Sequence, residues 1–223
     1  MNNLQLYNKL LQFNLFQGMS KDDLAQIVTH IRLGFHKFAP GETLATNDIP
    51  CTQLFFLVEG EIQIHTHATN HAYTIIEKTH HPAVFQPESL FGIHPRFSHS
   101  YIAYTPCSII TIDKAEVTKL FESFPIFRIN FLNQLSTRIQ KGHIRTWREA
   151  PTTTRQRIIR FFESHCLHPA GEKQCRILMR QLADEIGTKR LYVSQALNTL
   201  QQEGKIVLRR GCIDIPALEK LLM

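Results

Sequence analysis

The sequence predicts an α+β protein: antiparallel β-structure flanked by helices, then a long helix, then a C-terminal winged helix-turn-helix. Three observations predict it. From Gly34 to Asp113, short alternating or apolar runs are split by Pro, Gly and Asn, which marks an antiparallel barrel or sandwich. An unbroken helical stretch runs from about Ile126 to Trp147. From Arg180 to Ile215 the chain reads RQLADEIGTKRLYVSQALNTLQQEGKIVLRRGCIDI, two helices about a Gly turn and then a basic hairpin.

The elements follow in order. Residues 1–33 read as helical, with Leu6, Leu10, Leu24, Ile27 and Ile31 on apolar faces, and Ser20 before Asp22 and Asp23 marks a helix start. PGETL, LFFLVEGEIQIH, AYTIIEK and YIAYTPCSIITID read as strands, and Asp113 caps a helix that ends before Pro125. In the long helix, Leu132, Leu135, Ile139 and Gly142 fall at alternating steps of three and four. That is a short heptad seam suited to dimerisation, while Phe127 and Phe131 are placed to pack on the chain's own β-structure. APTTT at Ala150–Thr154 marks a boundary, since Pro151 disfavours helix before it and the threonines offer a cap. A helix with Ile158, Ile159, Phe161 and Phe162 follows, then the loop HPAGEKQ, then a strand CRILM able to pair with the hairpin. The expected organisation is a β-domain over 1–124, a dimerisation helix and hinge over 125–150, and a winged helix-turn-helix over 151–223.

Within that last part, Leu182, Ala183 and Ile186 form one buried face, and Gly187 stops the first helix. Thr188 is placed to cap the second helix, whose buried stripe is Val193, Ala196, Leu197 and Leu200. Lys189, Arg190, Tyr192, Ser194, Gln195, Asn198 and Thr199 are left outward, all groups that donate, accept or stack, with no acid among them. Ile206, Leu208, Ile213 and Ile215 alternate as strands do around a turn that carries Arg209 and Arg210. The plainer alternative is an αα-hairpin beside a β-hairpin, packed for its own sake.

Charge agrees with DNA as the partner. The 223 residues carry a formal net charge of +6, with 14 Lys and Arg against 8 Asp and Glu from His143 onward, but 11 against 11 before it. An excess confined to one end suits one part that meets a polyanion and one that does not. No run of about 18 apolar residues suggests a membrane span, and the start lacks the pattern of a signal peptide. The cysteines (Cys51, Cys107, Cys166, Cys175, Cys212) are scattered, which argues against disulfides and a four-Cys metal site and for a cytoplasmic protein. No GxSxG, P-loop, HExxH or ordered Cys–His arrangement appears, so no enzyme is expected.

The order of these parts resembles the Crp/Fnr family of bacterial transcription regulators. The resemblance is carried by KFAPGETLATNDIPCTQLFFLVEGEIQI, with Pro40-Gly41-Glu42 and Glu59-Gly60-Glu61 at the family's turn motifs, and by IGTKRLYVSQALNTLQQEGKI. It implies a jelly-roll-like, cyclic-nucleotide-binding-type β-roll that senses an effector, a homodimer, double-stranded DNA with a palindromic operator, and RNA polymerase as a partner if the protein activates. It also implies base reading by Arg190, Leu191 and Gln195, with Thr188, Lys189, Tyr192, Ser194, Arg209 and Arg210 positioned on phosphate.

The roll departs from the cyclic-AMP receptor pattern. QPESLFGIHPRFSHS leaves Glu88 and Ser98 as candidate effector residues, but Pro87 stands for a Gly and Phe97 for the phosphate-binding Arg. Cyclic AMP is therefore not the expected effector. An iron–sulfur cluster is not expected either, because Cys51 is the first cysteine. His65 and His67 fall on one strand face, which leaves room for a metal or haem, although surface histidines explain the pattern as simply. A regulator with no effector, whose roll is only scaffold or polymerase contact, is the alternative.

Overall fold

The computed structural model describes residues 3–146 and 149–221; the expected helix end at Trp147 lies outside them. Chain contacts divide the protein into one unit of residues 1–62 and 79–146 and a second of 63–78 and 147–223.

In the first unit the N-terminal stretch is split. Helix α1 (Asn3–Leu10), a 3-10 turn at Asn14–Phe16 and α2 (Lys21–His30) replace a continuous helix. The break is local: Gly18 has φ of +80°, and a reciprocal capping box restarts the helix, Ser20 Oγ accepting from Asp23 N while Asp23 accepts from Ser20 N. Strands β1 (Leu33–Phe38), β2 (Thr43–Ala45), β3 (Gln53–Glu59), β4 (Glu61–His67), β5 (Thr74–His80) and β6 (Ala83–Phe85) follow in the chain, most of β4 and β5 falling in the second unit. Helix α3 (Pro87–Leu90), β7 (Ser100–Ala103), β8 (Cys107–Asp113), α4 (Lys114–Ser123) and α5 (Pro125–Thr146) complete the run. The strands pair antiparallel, in a sheet of order β1-β8-β3-β6 and a β2–β7 pair, giving the expected roll. Strand β1 and the three-residue β6 were not among the runs read from sequence.

The β3–β4 turn requires glycine. Gly60 has φ of +95°, and a Cβ there would stand 2.4 Å from the Pro106 carbonyl oxygen. Asp113 precedes α4, but its carboxylate accepts from Gln53 Nε2 rather than capping the helix. Aromatic rings hold the helices to the outer face of the sheet: Phe13 meets Phe56 edge-on with centroids 5.1 Å apart, and Phe16 lies 5.2 Å from Phe127. Helix α5 is fastened by Asn130, whose amide donates to the carbonyls of Leu15 and Gln17.

The second unit contains α6 (Thr154–His165), β9 (Lys173–Arg176), α7 (Met179–Glu185), α8 (Arg190–Gln202), β10 (Val207–Arg209), β11 (Cys212–Ile215) and α9 (Leu218–Leu221). Thr153 caps α6 in a second capping box, with Gln156. The strand expected at CRILM begins two residues earlier, at Lys173, because its backbone pairs with Glu77 on one side and Ile215 on the other. Residues 63–78 belong here: strands run antiparallel in the order β10-β11-β9-β5, and Tyr73 and Ile75 enter the core beside Phe161, Phe162, Cys175 and Leu197.

This pairing buries a charge. Glu77 is 1% exposed and Lys173 2%. Glu77 Oε1 lies 3.2 Å from Lys173 Nζ, and its carboxylate accepts from the backbone N–H groups of Leu167 (2.7 Å) and His168 (3.1 Å). Lys173 Nζ also donates to the Ala170 carbonyl at 2.7 Å. Burial alone would raise the Glu77 pKa; hydrogen bonds from His168 and Leu167 and the Lys173 charge outweigh it and hold it below the usual carboxylate value. Because the folded value is depressed, the stability tied to this charge is present above the unfolded value and lost as pH falls through the folded one. Glu77→Gln should destabilise this unit by about 3–5 kcal/mol near neutral pH, since it strands the buried ammonium. Urea unfolding checks this, and the variant should also lose this part of the wild-type decline in stability below about pH 4.

Candidate nucleic-acid interface

The helix-turn-helix is built from three helices. Leu182 and Ala183 on α7 pack against Val193, Leu197 and Leu200 on α8, while Ile186 and Ala196 are half-buried at the margin. Gly187 ends α7 with φ of +63°, as the sequence suggested. The cap of α8 differs by one residue. Lys189, not Thr188, is the N-cap: Thr188 N is drawn back onto the Ala183 carbonyl (2.9 Å), and the Lys189 ammonium, with no acceptor to offer, makes no cap bond. No side chain caps the first turn of α8; Tyr192 N turns back onto the Lys189 carbonyl (3.0 Å), and the positive end of the helix dipole lies behind the Arg190 and Leu191 N–H groups.

Arg157 on α6 shapes the turn. Its guanidinium donates to the carbonyls of Ile186 (3.3 Å) and Gly187 (3.1 Å), fixing the angle at which α8 leaves α7. Arg155 grips the other end of α8 with a two-pronged bond to Glu203, at 2.6 and 2.7 Å. Gln201 at the end of α8 accepts from Leu208 N (2.7 Å) and ties the helix to the wing.

Lys189, Arg190, Leu191, Tyr192, Gln195, Asn198 and Thr199 are exposed and Ser194 half-exposed; Leu191 shows 63% of its surface, unusual for a leucine unless a partner covers it. The structure brings Arg190 together with Arg209 and Arg210 around one concavity of about 300 Å³ between α8, α7 and the wing. Arg180 lines it as well. Sequence reading missed Arg180, which sat unnoticed at the start of α7. Arg209 Nε lies 2.9 Å from Asp214 Oδ2, so an acid already shares its charge. Along α5, Leu132 and Ile139 are 56% and 65% exposed, Gly142 is exposed and Leu135 half-buried, whereas Phe127 and Phe131 are buried. Ile129, 54% exposed, extends the open stripe by a residue that was not anticipated.

The candidate effector residues of the roll are each engaged by a different partner. The Glu88 carboxylate pairs with Arg138 of α5. Ser98 is held by Gln86, whose amide donates to its hydroxyl (2.7 Å) and accepts from its backbone N–H (3.1 Å). Gln86 is 4% exposed and sits at φ of +38°, a left-handed conformation that costs a non-glycine residue free energy. Phe97 turns inward at 3% exposure onto Phe55 and Tyr101, while Arg96 turns outward to Asp48. Burial, with a smaller contribution from Glu88, pushes the Cys51 thiol up to about 11. In the second unit, the His65 and His67 rings stand 6.5 Å apart, and burial, then Arg176 and His67, lower the His65 pKa. Among the described residues, no three His, Cys, Asp or Glu side chains are placed to hold a metal.

The similarities to known proteins divide the chain by sequence, with residues 63–78 inside the first match. Residues 35–124 match the cyclic nucleotide-binding domain and residues 156–223 the Crp-like helix-turn-helix domain. The catabolite activator protein of Thermus thermophilus is 17% identical with a TM-score of 0.53, over 94% of this chain and 96% of its own. The c-di-GMP responsive global regulator CLP of Xanthomonas campestris is also 17% identical, with a TM-score of 0.53 over 88% and 99%. The sensor domain of the transcriptional regulator DNR from Pseudomonas aeruginosa gives 16% identity and a TM-score of 0.55, over 67% and 97%. At these identities the likeness is one of fold. No curated protein matches by sequence. Phe97→Ala should cost about 3–5 kcal/mol, as emptying a filled aromatic site does, and chemical denaturation measures it.

Proposed function

The chain belongs to the Crp/Fnr family of DNA-binding transcription regulators, and from that premise we propose that it acts as a homodimer on a palindromic operator under an effector other than cyclic AMP. The observation that carries the reading is α8: an exposed helix face of donors, acceptors and one bare leucine, framed by arginines and free of acids. In the major groove Arg190 reads guanine through O6 and N7, Leu191 touches a thymine methyl, and Gln195 pairs with adenine. Thr188, Lys189, Tyr192 and Ser194 position phosphate, as do Arg209 and Arg210 on the wing. Among the described residues no acid pairs with Arg210, which makes it the stronger of the two wing contacts.

Exposed Leu132 and Ile139 at heptad spacing support pairing of two α5 helices, with Leu135 and Gly142 at the margin. Two-fold pairing doubles the site and supplies the specificity that one winged helix lacks. Phe97 in place of a phosphate-binding arginine supports an effector other than cyclic AMP. A second reading, a regulator whose roll binds no ligand and serves as scaffold or polymerase contact, is favoured by Glu88 and Ser98 both being engaged within the chain. No helix among the described residues is long and apolar enough to cross a membrane, and the proposed site of action is the cytoplasm. RNA polymerase is a further partner if the protein activates.

Selection of the ligand-free protein on random duplex DNA at fixed salt tests the proposal. Enrichment of a palindrome with half-sites one helical turn apart supports it, and purely salt-sensitive, sequence-blind binding counts against it. Arg190→Ala should cost about 1–3 kcal/mol per half-site and relax one base position. Arg210→Ala should instead weaken all sequences alike and lower the salt slope by about one per protomer. Ile139→Glu should shift sedimentation toward monomer and abolish operator binding at concentrations where the wild type binds.

A further inference from the structure

The outer face of the four-stranded sheet is only partly covered. Phe13 and Phe16 close its far side over Phe56, but beneath α1 and α2 a cleft of about 920 Å³ remains, within the range of small-molecule sites. Its floor is β1, β8 and β3, with Leu33, Phe35, Val58 and Ile110 presenting carbon, and Leu6 and Val28 roof it. Phe35 is the anomaly. It lies mid-strand, paired opposite Ile110, yet is 56% exposed, in a sheet whose other large apolar side chains on this face are buried or half-buried.

The polar groups of the cleft do not cancel. Glu59 is consumed: Lys9 Nζ lies 2.7 Å from it and Ser108 Oγ donates to it, and the Lys9 hydrogen bond and charge hold its carboxyl below the usual range. Lys37 stands two residues beyond Phe35 on the same strand and so shares its face. Among the described residues it has no acidic partner. Two cations and one anion thus border an apolar trough, and one negative charge is wanting.

We propose that this cleft binds a small amphipathic anion, an alkyl or aryl carboxylate whose body lies on Phe35 and whose charge meets Lys37. The site is distinct from the Glu88–Ser98 region and draws on neither residue. A ligand seated there would bridge α1 and α2 to the sheet. That helical layer also carries the turn whose carbonyls hold Asn130 of α5, so occupancy would be felt by α5 within one unit. Binding itself is independent of the DNA reading; only its regulatory consequence rests on it.

Titration of the whole protein with decanoate, with decanol and cyclic AMP in parallel and no DNA present, tests the proposal by calorimetry. Saturable decanoate binding is expected. Lys37→Met should weaken decanoate about tenfold or more, the scale of one charged hydrogen bond, while leaving decanol unchanged. Phe35→Ser should weaken both. Two results would overturn the proposal: absence of saturable decanoate binding, or binding that both variants leave unaltered. A loss of self-association in Phe35→Ser with no effect on decanoate would likewise sink it, since the cleft would then be an interface between copies of the chain.

Discussion

A carboxylate with almost no water must find its full complement of partners within the protein, and the second unit is arranged around that demand at Glu77. The partners come from the β9 lysine, from two backbone N–H groups after α6, and from the strand register that brings them together. A slip of one residue between β5 and β9 would turn Glu77 away from Lys173 and Ile75 out of the core at once. The charge therefore specifies the pairing as well as resisting burial. The second unit is discontinuous in sequence: the Glu77 carboxylate on β5 lies 90 residues before the Leu167 N–H that it accepts from.

Much of this was legible in advance where the information is local. The helix start at Ser20, the cap among the threonines before α6, the stop at Gly187 and the buried stripe of α8 depend on residues within one or two turns, and they stand where side-chain chemistry puts them, apart from the one-residue move of the α8 cap. What escaped notice is non-local. Lys173 sits in a polar stretch that reads as loop, two residues ahead of the strand expected at CRILM; its backbone pairing with Glu77 and Ile215 draws it into that strand. Arg157 and Arg180 look like ordinary exposed arginines until the fold brings carbonyls to the first and a concave, arginine-lined surface to the second. Strand β6 is three residues long, below the length at which alternation can be recognised.

The roll illustrates a different lesson. An inventory of residue types identified the departures at 87 and 97, but could not say what fills the space. Gln86 does, accepting an unfavourable backbone conformation so that both ends of its amide can serve Ser98, while α5 contributes Arg138 to Glu88. Polar groups that would otherwise solicit a ligand are satisfied from within, and Phe97 makes the neighbouring volume apolar.

The Arg157 bond to the α7–α8 turn has one more implication. The pose of α8 is dictated from α6 and from buried leucines, not from any side chain on its outward face. Those outward positions are thereby released from any duty in folding. Such a scaffold lets the outward residues of α8, Arg190, Leu191 and Gln195 among them, be exchanged with little loss of stability, so that the surface this helix presents can change while the architecture beneath it stays the same.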